Sequence, residues 1–164
     1  MRSLVMPLAG SDEEAAAAIE EVRGREAWLA VRLQLSRDFG LTKLEALTVD
    51  PVKGLRSWGL VVGQNPFIAQ SRLSAPRAVP ALTPAVLDRL QRAAVFFDQA
   101  RRETSVLEGD LRHRSLRQRR VFARHQLDES MFFASASSTT LDSFREGPKW
   151  AFRARQALQL ALAA

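Results

Sequence analysis

The sequence predicts a mainly α fold, a helical bundle-like domain with a small β-hairpin near residues 58–73. Three observations lead there. Apolar residues recur at helical spacing over several long stretches, each opened by a capping signal and closed by glycine or proline. Only one region, residues 57–73, shows short apolar or alternating runs flanking a turn. With 164 residues, 46% hydrophobic and 26% charged, the chain has the composition of a globular protein and the length for one domain with a core. Residues 1–75 read as an N-terminal helix, a helix pair and the hairpin. Residues 83–164 read as a basic helical region, and the two parts are expected to form one compact unit.

Ser11 and Glu14 form a capping box, which predicts a helix over about 12–38. Ala15, Ala18, Ile19, Val22, Leu29 and Leu33 line one stripe of it, and Gly24 weakens it by roughly 1 kcal/mol relative to alanine. Gly40 is placed to take the left-handed conformation that ends a helix. Thr42 and Glu45 make a second capping box, so a short helix should span about 43–49 and stop before Asp50-Pro51. The runs "SWGLVV" and "FIAQSRL", joined by "GQNP", predict two strands and a turn. The segment "SAPRAVPALTP" reads as a connector. Thr83-Pro84 is an N-cap followed by proline at the first helical position. Val86, Leu90, Ala93, Ala94, Phe97, Thr104 and Leu107 then keep one face apolar for about six turns. Gly109-Asp110 breaks that helix, and the next should run to about Phe133. After the polar loop "ASASSTT", a short helix from Thr139 and a last one over about 149–162 complete five or six helices.

The net charge of +6 is unevenly distributed. Residues 1–50 hold six Lys/Arg against nine Asp/Glu, whereas residues 51–164 hold eighteen against nine. A basic body suggests an anionic partner. Without cysteine, disulfides, thiolate metal sites and cysteine nucleophiles are excluded. No apolar run is long enough for a membrane span, so a cytoplasmic protein with no membrane partner is expected.

The charge concentrates in "LRHRSLRQRRVFARHQ", where Arg112 to Arg124 includes six arginines in thirteen residues and no acid. His113, Arg117, Arg120 and Arg124 fall at i, i+4, i+7 and i+11, a stripe about 16 Å long, and Arg114 flanks it. Arg112 and Arg119 fall between two apolar strips, Leu111/Phe122/Phe133 and Leu116/Ala123/Leu127, and are expected to lay their stems on the core. Aligned like charges destabilise an isolated helix, and the guanidinium fork matches phosphate oxygens. The stripe therefore points to backbone phosphates of nucleic acid. Neutralisation by Glu103, Glu108, Asp128 or the acidic N-terminal helix is the protein-only alternative.

Arg32 to Val49 also partly matches the generic helix-turn-helix pattern, with Leu35, Phe39, Leu41, Ala46 and Val49 inward, Ser36 at the crossing and Gly40 at the turn. Thr42, Lys43 and Glu45 would then face the bases, and the hairpin would serve as a wing. A capped helix following a glycine stop is equally the common way two helices connect.

Chemistry is otherwise sparse. The chain lacks glycine-rich phosphate loops, and its two histidines, His113 and His125, lie among arginines. No cofactor, metal site or catalytic residue is expected, so the chain reads as a non-enzyme. "MFF" (131–133) reads as core, except that Phe132 points off the main apolar strip and could meet a base or a subunit. The functional expectation is a nucleic-acid-binding protein, either a DNA-binding regulator or a helical subunit of a nucleoprotein complex. The alternative is an assembly or scaffold protein joined by acidic-to-basic helix contacts. Either reading expects a homo-oligomer or a larger protein complex.

Overall fold

A computed structural model describes residues 8–63, 77–103 and 111–134. In chain order these form α1 (Asp12–Arg23), α2 (Ala27–Phe39), α3 (Lys43–Thr48), α4 (Pro51–Gly54), β1 (Leu55–Arg56), β2 (Gly59–Val62), β3 (Arg77–Pro80), α5 (Pro84–Glu103) and α6 (Leu111–His125), followed by a 3₁₀ turn, Glu129–Met131. The fold is mainly helical, with one small antiparallel sheet of order β1-β2-β3. The described residues fall into two units: 8–48 with 111–134, and 49–63 with 77–103.

In the first unit, the Ser11 box forms as expected. Ser11 Oγ accepts from the Glu14 amide at 3.1 Å, and Glu14 Oε1 accepts from the Ser11 amide at 3.4 Å. The single helix expected over 12–38 is instead two helices. α1 stops at Arg23, Gly24 caps it, and α2 begins at Ala27. α1 buries only Ala15, Ile19 and Val22, along one stripe, whereas α2 buries eight residues distributed around its axis. One straight rod cannot bury both patterns; the break at the poor helix former Gly24 lets α1 pack back on α2.

Gly40 takes φ 61°, the left-handed geometry that favours glycine, and the Leu41 amide donates to the Ser36 carbonyl at 3.1 Å. The second capping box is also present, with Thr42 Oγ1 accepting from Glu45 N–H at 3.2 Å and Glu45 Oε1 accepting from Thr42 N–H at 2.9 Å.

α6 ends at His125, short of the expected Phe133. Gln126 adopts φ 54°, and Asp128 caps the 3₁₀ turn by accepting from the Ser130 amide at 2.9 Å. The reversal carries Phe132 and Phe133 back against Phe122, with ring centroids 5.8 Å and 5.6 Å away. Phe132 is 0% exposed, so it is a core residue and not a stacking platform. Ala134 then pairs with Thr42 in a parallel bridge, and its amide donates to Leu41 O at 2.8 Å. Arg37 ties this return to the N-terminal segment, donating to the carbonyls of Ala9 (2.7 Å), Gly10 (3.0 Å) and Met131 (2.9 Å) and to Asp12 Oδ1 (3.1 Å).

In the second unit, β1 and β2 form a tight hairpin with Arg56 opposite Gly59. β2 is buried at all four positions and pairs on its other side with β3, Leu60 opposite Val79. The expected partner strand, "FIAQSRL", lies outside the described residues. The strand that pairs with β2 comes from the segment read as a connector: Pro80, which lacks an amide, ends a strand that lies at the sheet edge among the described residues, where proline is tolerated. At Gly59 a Cβ would collide with the Val79 carbonyl and the Ala81 amide, so close sheet packing demands glycine there. α5 starts as read, with Thr83 Oγ1 accepting from Val86 N–H at 3.1 Å, and buries Leu90, Ala93, Ala94 and Phe97. Thr104, Leu107, the Gly109-Asp110 break and the two expected C-terminal helices lie outside the described residues.

Asp50 joins three parts of this unit. Its Oδ1 accepts from the amides of Val52 (3.0 Å) and Lys53 (3.3 Å), and its carboxylate meets Arg101 at 3.2 Å. Burial alone would raise its pKa. The hydrogen bond from Arg101, the Lys53 amide, the Arg101 charge and the Val52 amide together outweigh burial and hold it below the ordinary carboxylate value. A folded pKa below the unfolded one stabilises above the unfolded value, about 3.9, and that stability is lost as pH falls through the folded value. In denaturant titrations, the stability advantage of the wild type over Asp50→Asn should therefore shrink once the pH drops below about 4. A pH-independent difference would contradict the assignment.

Candidate nucleic-acid interface

α6 is rolled relative to the expectation. Gln118, Val121 and Phe122 are its buried residues, while Arg112, Leu116, Arg119 and Ala123 are exposed. The adjacent apolar side chains Val121 and Phe122 set the inward direction. Gln118 falls between their bearings one turn earlier, at about 100° per residue, and is carried inward with them. Arg112 and Arg119 therefore do not lie across the core, and Leu116 and Ala123 face outward between two rows of cations.

The roll divides the predicted stripe. Arg114 is half-buried, and its Nη1 donates to the Leu47 carbonyl at 2.9 Å, so it leaves the exposed set. Arg117 is half-exposed, with Nε 3.8 Å from Glu26 Oε1, an ion pair too long for a hydrogen bond. His113, Arg120 and Arg124 are exposed. Among the described residues, no carboxylate lies within 4.0 Å of Arg120 or Arg124. Three other cations of the unit are paired at home, Arg23 with Glu20, Arg37 with Asp12 and Lys43 with Glu129, whereas Arg25, Arg112 and Arg119, like Arg120 and Arg124, have no carboxylate within 4.0 Å among the described residues. His125 turns away from the stripe, with Nδ1 3.5 Å from Glu21 on α1.

Arg25 joins the stripe from outside α6. It is exposed in the α1–α2 turn and lines the same open groove of about 810 Å³ as Glu26, His113, Arg117, Arg120 and Arg124. Four guanidinium groups thus share a groove with one carboxylate. The sequence reading missed Arg25 because it drew a continuous helix through residue 24. The exposed Gly24, followed at once by Arg25, was the available signal. Glu26 opens α2 without a side-chain cap, so the positive dipole end of a 13-residue helix adjoins the groove.

The helix-turn-helix positions behave differently. Leu35, Phe39, Leu41, Ala46, Val49 and Ser36 are buried, as that pattern requires. α3, however, has only six residues, and Glu45 is buried in its capping box rather than facing outward. Thr42 is held by that box and by the bridge to Ala134, and Lys43 is paired with Glu129.

The chain matches no family model, no curated protein and no solved structure. Among the described residues, no cluster of three or more His, Asp or Glu is arranged to hold a metal ion. Nor is any helix among them long and apolar enough to cross a membrane.

Proposed function

We propose that this chain binds the phosphate backbone of nucleic acid through the groove beside α6, with Arg120 and Arg124 as primary contacts. Arg117, Arg25 and His113 support them. The observation that carries the reading is the exposure of Arg120 and Arg124 on one edge with no carboxylate partner among the described residues. From Arg117 to Arg124 the helix rises about 10 Å, roughly three nucleotides of one strand at about 3.4 Å each.

Of the two forms, a helical subunit of a nucleoprotein complex is better supported than a DNA-binding regulator. The regulator needs Thr42, Lys43 and Glu45 to reach base edges, and all three are engaged within the chain. The scaffold alternative, in which α1 of one copy docks on α6 of another, has less to work with. Asp12, Glu14, Glu20 and Glu21 already have partners at home.

The test is a titration of labelled DNA and RNA at about 50 mM and about 200 mM salt. With three or four phosphates neutralised, log K should fall with log[salt] at a slope of about −3, a loss on the order of fiftyfold across that range. Absence of binding even at low salt, together with a discrete oligomer in light scattering, would favour the scaffold.

A further inference from the structure

Resting on the phosphate-binding reading, we propose that the groove takes a single strand and that Glu26 recognises a guanine base in it. A phosphate site alone explains the arginines but neither the apolar floor nor the acid. Leu116 is 37% exposed on a helix otherwise rich in charge, and with Ala123 it lines the groove between the cations. The phosphate backbone of a duplex offers these side chains nothing, whereas an unstacked base can lie on them and on the planes of neighbouring guanidinium groups. The groove, about 810 Å³, falls within the about 300–1,000 Å³ range of small-ligand sites.

Glu26 is the carboxylate in this cationic groove. It makes no side-chain cap on its own helix, and the nearby Arg117 Nε is 3.8 Å away. Its side chain is 32% exposed. A carboxylate beside a phosphate track lowers affinity for every polyanion unless the ligand donates to it. A bidentate acceptor needs two adjacent N–H donors, and on the Watson–Crick edge guanine alone offers them, at N1 and N2. Adenine and cytosine each place an acceptor beside the amino group, and uracil or thymine flanks its single N–H with carbonyls. Arg117 next to Glu26 is then positioned for the adjoining phosphate.

The experiment is fluorescence anisotropy on the full chain with labelled single-stranded oligomers, DNA and RNA, pyrimidine-rich except for one central guanine or adenine. A duplex of equal length serves as comparison. The wild type should prefer the guanine oligomer about tenfold, in line with one bidentate base contact. Glu26→Gln should abolish that preference by weakening guanine binding while leaving the adenine oligomer unchanged or tighter. Equal strengthening of both oligomers by Glu26→Gln would overturn the proposal, leaving Glu26 as an internal counter-charge. So would duplex binding as tight as single-strand binding. In either case salt-dependent binding persists and the phosphate reading stands; failure of every oligomer to bind at low salt would overturn both. Circular dichroism of the variant confirms that the fold is retained.

Discussion

Replacing Arg120 and Arg124 together by alanine should flatten the salt dependence of nucleic-acid binding by about two units of slope and weaken binding at low salt more than tenfold. Both side chains are exposed, so the change leaves the fold intact. The matched control is Arg112→Ala with Arg119→Ala, which removes the same charge from the other exposed row of α6. If binding followed net charge alone, the two double variants would be equivalent. Because Arg112 and Arg119 do not line the groove, the control should lose far less. Isothermal titration or anisotropy over a salt series measures both. Equal losses would place the phosphate contacts elsewhere on the basic surface.

Phe132→Ala should carry the largest stability cost, about 3–5 kcal/mol, because a fully buried aromatic leaves a cavity that its surroundings fill only partly. Phe132 sits edge-on to Phe122 of α6, and its carbonyl accepts from the Ser36 hydroxyl on α2. It therefore fixes the chain reversal against both helices, and through Phe122 it sets the roll that exposes the arginine edge. Urea denaturation of the variant against the wild type gives the number. Val95→Ala, at a residue 54% exposed on α5, should change stability by less than about 0.5 kcal/mol. A cost below about 1 kcal/mol for Phe132→Ala would contradict its place in the core.

Local signals were the most legible from residues alone. Both capping boxes, the left-handed Gly40 and the Thr83-Pro84 start depend on side chains within a few positions of the backbone groups they satisfy. The apolar stripe Leu90, Ala93, Ala94 and Phe97 was equally plain, since helical spacing alone selects it. What escaped depends on distant partners. The break at Gly24 follows from α1 folding back on α2, which no window of the sequence contains. β3 was hidden in a proline-rich segment because its pairing with β2 is set by the sheet and not by its own alternation. The left-handed Gln126 carries no glycine to announce it. At the site, the spacing of Arg117, Arg120 and Arg124 survived intact, whereas the fate of Arg114 turned on a carbonyl 67 residues away.

The α6 edge and the adjoining α1–α2 turn form the proposed anion-binding surface. Backbone amide NMR shifts, followed while a short oligonucleotide is added, test it most directly. The largest changes should fall at Arg25, Glu26, Arg117, Arg120 and Arg124, with Thr42 and Lys43 little affected. Changes centred on α3, or none at all at low salt, would contradict it.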